Sequence, residues 1–137
     1  MTKIGAKRKS PKKPMKRKLI KLLPLDIMFS KLIRAGADYT CEYCGKKSVN
    51  KQGLHCSHFI GRRYRNTRWL KDNCSCVCFG CHNFFHDFPA EHRDFFIKRL
   101  GVDRVEQLSI IARSGGKVDM ELIKMELTEK LGRLENG

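Results

Sequence analysis

Residues 78–86 have the sequence Cys-Phe-Gly-Cys-His-Asn-Phe-Phe-His, which combines a C-x-x-C pair with two histidines four positions apart. A second pair, Cys41-Glu-Tyr-Cys44, lies upstream, with 33 residues between Cys44 and Cys78. A spacing of two residues lets both thiolates of a pair reach one tetrahedral ion from a tight turn. The two pairs together therefore predict a structural Zn²⁺ bound by Cys41, Cys44, Cys78 and Cys81.

The other cysteines leave alternatives open. A redox dithiol would need only one C-x-x-C pair, and it usually lies in a βαβ setting that the sequence does not predict. Cys74 and Cys76 alternate along a predicted strand and could pack as small apolar groups, and Cys76 could also replace Cys78 as a ligand. With Cys56 they make the total of seven odd. Since no secretory signal is present, the cysteines favour metal binding over a disulfide framework.

Length and composition restrict the class of protein. A chain of 137 residues with 41% apolar content is long enough for one small core, which excludes full disorder. It contains no apolar run long enough to span a membrane and no signal-peptide pattern, so we expect no membrane association and a cytoplasmic location. The net charge of +15 indicates a polyanionic partner, and nucleic acid is the first candidate.

The positive charge is concentrated in two places. Residues 1–21 carry ten basic residues and no acidic one, and residues 39–86 carry eight basic and two acidic residues. We predict that residues 1–20 form a disordered basic arm, because so polar a segment cannot bury enough surface to fold. Its basic residues, among them Lys12, Lys13, Lys16, Arg17 and Lys18, would contact DNA phosphates. A solubilising tail or a targeting signal is the alternative.

Periodicity predicts an α+β domain over residues 21–137. An apolar stripe predicts a helix from Pro24 to Gly36. The best strand candidates are residues 54–60 and 69–77, joined by a polar loop over 61–68. Further helices are predicted from Phe79 to just before Pro89, and over residues 89–100, 103–113 and 119–134.

The histidines lie close to these strands and to the helix that follows. His58 falls on the first strand, Asn73 on the second and His82 on the helix. This order is typical of the ββα-metal, or HNH, nuclease site, in which a strand histidine deprotonates water, an asparagine holds the strand and loop, and a helix residue binds a cation at the scissile phosphate. His82 and His86 share one helix face and could bind the same ion. Taken alone, His58 would be interpreted as a core histidine and His86 as a solvent-facing one, and His92 is predicted to lie at the surface.

A cluster of arginines follows His58. Four arginines, interleaved with Tyr64 and followed by Trp69, could present guanidinium groups to DNA phosphates beside the predicted base. These are Arg62, Arg63, Arg65 and Arg68. The alternative is an ordinary solvated loop.

Several of these motifs together resemble a known family. The resemblance is carried by Cys41-x-x-Cys44-Gly45, Cys56-Ser-His58-Phe-Ile-Gly-Arg-Arg63, Thr67-Arg-Trp69, Asp72-Asn73 and Cys78-x-x-Cys81-His82. In this run the chain is similar to the NinG/Rap recombination endonucleases of lambda-like phages, which are HNH-type nucleases that act on branched DNA such as Holliday junctions and D-loops. The similarity extends over about residues 20–134 and is weakest in the C-terminal helices.

The resemblance implies a zinc-stapled ββα-metal core, with a treble-clef-like shape, flanking helices and the roles given above for His58, Asn73, His82 and the four cysteines. It implies Mg²⁺ or Mn²⁺ as catalytic ion, 5′-phosphate and 3′-hydroxyl products and, for a phage protein, the cytoplasm of the host. One position departs from many HNH sites: Ser57, a poor cation ligand, directly precedes the base. His55 occupies the position three residues before the base, where this family has an acid, so His55 is the candidate first ligand beside His82 and His86.

We therefore expect a metal-dependent DNA endonuclease acting on branched recombination intermediates. Symmetric cutting of a junction needs two active sites, which makes a homodimer an expectation of this hypothesis. The alternatives are an HNH nicking or restriction-type nuclease without preference for branches, and a non-catalytic zinc-binding DNA adaptor.

Overall fold

The computed structural model describes residues 19–135. In this range the chain forms six α-helices and one two-stranded sheet, so the predicted α+β class is confirmed. The elements are α1 (Pro24–Gly36), β1 (Leu54–His58), α2 (Arg65–Arg68), β2 (Cys74–Cys78), α3 (Phe79–Asp87), α4 (Pro89–Leu100), α5 (Val102–Arg113) and α6 (Met120–Glu135). The proposed arm contacts at Lys12, Lys13, Lys16, Arg17 and Lys18 lie outside the described residues.

The sheet is a short antiparallel hairpin that carries chemistry-bearing residues on both strands. Its register pairs Leu54 with Cys78 at one end and His58 with Cys74 at the other. β2 is almost entirely buried and leads directly into α3 without a connecting loop. The first residues of α3 are consequently held beside the sheet.

Helix α1 begins with Pro24, whose fixed φ suits a first helical position. Asp26 accepts a hydrogen bond from the backbone N–H of Leu23 at 2.7 Å, which satisfies one of the donors left free at a helix start. The buried face of α1, including Phe29 and Ile33, lies against the sheet and against α6, from which Leu127 enters the same core.

Helices α3 and α4 are joined by an aromatic cluster. Phe85 of α3 and Phe96 of α4 are buried, and the ring of His92 stacks on Phe85 with centroids 4.3 Å apart. His92 also meets Phe59 and Phe96 edge to face. The prediction that His92 lies at the surface therefore holds only in part: the residue is half-buried, because its ring packs between the two helices.

The helix predictions match the structure to within a residue or two, whereas both strands differ from their predictions: the first ends at His58 and not at residue 60, and the second is shorter at its start. Residues 69–73 do not join the sheet: Lys71–Asn73 form a 3₁₀ turn, and pairing begins only at Cys74. The predicted loop over 61–68 also contains the short helix α2. Among the helices of residues 19–135, none combines the length and the hydropathy that crossing a bilayer would require.

Candidate active site

The four cysteines of the two C-x-x-C pairs come together at one end of the sheet. One potential ligand atom from each of Cys41, Cys44, Cys78 and Cys81 lies within 4.8 Å of all the others. The Sγ atoms of Cys44 and Cys78 are 3.9 Å apart. This cluster could hold a structural metal such as zinc, for which four thiolates are a common ligand set.

The backbone around the first pair closes a tight turn and favours the thiolate of Cys41. It does not do the same for Cys44, where the backbone N–H of Lys46 is outweighed by the Cys41 side chain and by burial, so that the pKa is raised. Thr40 and Lys47 form an antiparallel bridge, and Gly45 takes a positive φ of 79°, which closes the tight turn around Cys41 and Cys44. Burial raises the pKa of Cys41, but backbone N–H groups, beginning with that of Cys44, outweigh it and lower the pKa to about 7. A thiol with such a pKa loses its proton readily to a metal.

His58 is held at the end of β1 by a backbone carbonyl. Its Nε2 lies 2.9 Å from the carbonyl oxygen of Arg68. Because a carbonyl can only accept, Nε2 carries the proton and Nδ1 keeps its lone pair. Burial lowers the pKa of His58, which favours the neutral ring. The side chain thus offers one oriented basic nitrogen.

Asn73 connects the loop after β1 to the start of β2. Its Oδ1 accepts from the N–H of Ile60 at 2.8 Å, and its Nδ2 donates to the carbonyls of Ile60 and Thr67, both at 3.0 Å. The side chain is fully buried. Asn73 therefore cannot touch a substrate. Its contacts instead hold the loop and the strand in place, which is the positioning role that the motif predicts for this asparagine.

Arg68 was predicted to contact DNA, and the structure contradicts this. The side chain is only 3% exposed and forms a two-point ion pair with Asp26, with Nε 2.9 Å from Oδ1. Trp69 donates its indole N–H to the same carboxylate at 3.1 Å. A buried guanidinium needs a partner, and Asp26 supplies it.

Asp26 is a residue that the sequence analysis missed. It lies on the buried face of α1 among Leu25, Phe29 and Ile33, where an acid is unexpected. Burial opposes ionisation, but the hydrogen bonds from Arg68 and Leu23 prevail and lower the pKa of Asp26. Since the Arg68 carbonyl holds His58, Asp26 acts on the site through Arg68. The sequence feature that could have revealed Asp26 is an acidic residue within the apolar stripe of a helix.

His55 and His82 meet on the other side of the hairpin. Their Nδ1 atoms are 3.2 Å apart, a separation that two nitrogens bound to one ion can adopt. Burial, followed by the nearby His55 and His86, lowers the pKa of His82. Ser57, in contrast, is buried and pairs across the sheet with Ser75.

The two sides of the hairpin open into one cleft of about 700 Å³. Its lining residues include His55, His58, Arg62, His82 and His86. The predicted general base His58, the His55–His82 pair and Arg62 therefore face a common space that solvent can enter.

The other arginines of the cluster take different positions. Arg63 is exposed and lies over the Tyr64 ring at 5.2 Å, and Arg65 is exposed beside Met120. Both guanidinium groups remain accessible to phosphate, unlike that of Arg68.

Comparison of the chain with protein-family models, curated proteins and solved structures found no match. The functional assignment consequently depends on the geometry of the site.

The predicted catalytic ligands favour some cations over others. Among the described residues, two groups of three or more potential ligands have all their ligand atoms within 4.8 Å, and the His55–His82 pair belongs to neither. His86 lines the cleft without completing such a set. Imidazole suits ions such as Zn²⁺, Fe²⁺ and Ni²⁺, whereas Mg²⁺ and Mn²⁺ prefer oxygen ligands. Of the two ions that the family resemblance implies, Mn²⁺ accepts nitrogen ligands more readily than Mg²⁺.

Proposed function

We propose that the protein is a metal-dependent DNA endonuclease of the HNH type. The observation that carries this proposal is the placement of His58, whose Nε2 donates to the Arg68 carbonyl while the ring borders the cleft that His55, His82 and Arg62 also line. A basic nitrogen, a pair of cation ligands and a guanidinium facing one open space are the groups that phosphodiester hydrolysis requires.

His58 acts as the general base in this mechanism. Its Nδ1 accepts a proton from water, and the resulting hydroxide attacks the scissile phosphorus. The bond between phosphorus and the 3′ oxygen breaks, and the leaving oxygen takes a proton from solvent to become the 3′-hydroxyl group. The Arg68 carbonyl keeps the proton on Nε2, which prevents the other tautomer and stabilises the imidazolium that forms. Asn73 maintains this arrangement by linking Ile60 and Thr67, the backbone on either side of the loop.

His55 and His82 would hold the catalytic cation, and Arg62 would neutralise charge on the phosphate. A divalent cation bound there would stabilise the negative charge that develops on the phosphate oxygens. Arg63 and Arg65 are exposed and contact phosphates farther along the DNA, and such contacts position the backbone without reading sequence.

The preference for branched DNA rests on the resemblance to the NinG/Rap endonucleases. That resemblance also supports Zn²⁺ in the four-cysteine cluster, products with 5′-phosphate and 3′-hydroxyl ends, and a homodimer. The net charge of +15 favours binding of a nucleic-acid backbone in general.

The test compares cleavage of a four-way junction, a D-loop and the matching linear duplexes with Mn²⁺, Mg²⁺ or no added cation. We expect Mn²⁺-supported cleavage by the wild type and loss of at least about 100-fold in His58→Ala, the lower range for removal of a general base. His58→Gln is the matched control for folding, because its amide can still donate to the Arg68 carbonyl but cannot take up the proton. Both variants should retain the zinc of the four-cysteine cluster and bind DNA.

The outcomes separate the alternatives. Equal rates on junction and duplex would leave a nuclease without preference for branches. A wild type that binds DNA but cleaves with neither cation would be a zinc-binding adaptor. A folded His58→Ala variant with the wild-type rate would refute the mechanism.

A further inference from the structure

A second group of potential metal ligands lies on the hairpin, separate from the four-cysteine cluster. One ligand atom from each of Cys56, His58 and Cys74 lies within 4.8 Å of the other two. The sheet register explains the grouping: His58 pairs directly with Cys74, and Cys56 lies two residues from His58 on the same face of β1. The backbone thus brings together three residues from two strands.

The His58 ring is already oriented as a metal-ligating imidazole would be. Histidines that bind metals commonly donate their other ring N–H to a backbone carbonyl, which fixes the tautomer. The bond from His58 Nε2 to the Arg68 carbonyl does this and leaves Nδ1 as the free donor atom. This hydrogen bond is independent of the clustering of the cysteines.

The three donors select a soft cation. Two thiolates and one imidazole favour Zn²⁺ and similar ions over Mg²⁺ or Mn²⁺. Two thiolates also neutralise a divalent charge, so the ion could lie beside the buried Cys74 without unpaired charge. Cys56 and His58 line the open cleft, which provides an entry path and room for water as fourth ligand.

We propose that Cys56, His58 and Cys74 form a second site for a thiophilic cation such as Zn²⁺, and that its occupation switches off cleavage. The cation site itself is inferred from the cluster alone, whereas the inhibition of cleavage rests on the proposed function. The Nδ1 lone pair of His58 can hold either a proton or the cation. Zinc at this site therefore removes the base.

Cobalt substitution tests the site without any measurement of activity. Thiolate ligands give Co²⁺ an intense near-ultraviolet absorption that imidazole ligands do not, so the His55–His82 pair does not interfere. In Cys56→Ala we expect this absorption per chain to fall by about one third, because a three-donor site that loses one donor releases the ion and two of six ligating thiolates no longer contribute. The matched control is Cys76→Ala, which removes the cysteine opposite Cys56 in the register and should leave the absorption unchanged.

The switch is measured as the ratio of cleavage rates without and with added Zn²⁺, at constant Mn²⁺. We expect strong inhibition of the wild type and of Cys76→Ala, and at least tenfold weaker inhibition of Cys56→Ala. Equal cobalt absorption in the two variants would overturn the site. A cobalt difference with equal inhibition ratios would overturn the switch, and absence of cleavage in every protein would refute the proposed function while the cobalt result still decides the site.

Discussion

At the scale of single residues, two arginines of one loop serve different purposes. Arg68 is buried against Asp26, whereas Arg63 is exposed over Tyr64. Replacing Asp26 by Ala would leave the Arg68 charge buried without its partner, and we expect a loss of about 3–5 kcal/mol in the free energy of unfolding. Urea denaturation in the presence of zinc measures this loss.

Arg63→Ala is the matched control for that experiment. It should change the free energy of unfolding by less than about 0.5 kcal/mol, since the side chain is exposed, yet weaken DNA binding in a fluorescence-anisotropy titration. An Asp26→Ala variant as stable as Arg63→Ala would contradict the role assigned to the buried ion pair.

Asn73 is the second residue whose contribution can be isolated. Replacement by Ala removes its hydrogen bonds and leaves the N–H of Ile60 without its acceptor in a partly buried position. We expect a destabilisation of about 2–4 kcal/mol, since each group that loses its partner costs roughly 1–3 kcal/mol. Asn66→Ala is the control: Asn66 also donates to backbone carbonyls, but that of Gly115 is exposed and water can replace the amide. Equal losses of thermal stability in the two variants would argue against a special role for Asn73.

At the scale of secondary-structure elements, the contact between α3 and α4 depends on a neutral His92. Burial, with a smaller effect of His82, lowers the pKa of His92 from its ordinary 6.5 to about 4. Its Nε2 is buried and has no hydrogen-bond partner among residues 19–135. Below pH 6.5 His92 becomes protonated in the unfolded chain, whereas in the folded chain it becomes protonated only near pH 4.

The stability contributed by neutral His92 is thus complete above pH 6.5 and is lost as the pH falls from 6.5 to 4. The full loss is at most about 3 kcal/mol, because one pKa unit corresponds to roughly 1.4 kcal/mol and water screens the exposed part of the ring. In His92→Phe we expect the melting temperature to fall less between pH 7 and pH 4.5 than in the wild type. Protonation of the cysteine thiolates at low pH affects the wild type and His92→Phe equally. An identical pH dependence of the two melting temperatures would therefore contradict the role assigned to His92.

Local patterns specify most elements, and long-range contacts decide the exceptions. The helix over Pro89–Leu100 follows from its flanking Pro89 and Gly101 and from periodicity, all of which are local properties. The predicted strand over 69–77 fails in its first half, because the indole of Trp69 is drawn to Asp26 and the side chain of Asn73 to Ile60. These partners are 43 and 13 residues away, so no window around the strand could contain both.

At the scale of the whole molecule, the four-cysteine cluster connects the turn that carries Cys41 and Cys44 to β2 and α3. A two-stranded sheet of five-residue strands is not stable by itself. Structural Zn²⁺ contributes about 10–16 kcal/mol in small domains, as much as the whole net stability of a typical domain. Removal of the metal by a chelator should therefore abolish the cooperative thermal transition and the near-ultraviolet circular dichroism of Trp69. Added Zn²⁺ should restore both and Mg²⁺ should not, whereas a metal-free protein with an unchanged transition would disprove a structural role.

The sequence by itself determined the α+β class, the helices and the pairing of the two C-x-x-C motifs, because periodicity, capping and ligand spacing act over a few residues. It also singled out the histidines that line the cleft. Only the tertiary structure decided that Arg68 faces inward to Asp26 and that His92 packs between helices. The physical reason is that burial and the choice of partner for a charged or polar group depend on elements distant in the chain, and these become neighbours only on folding.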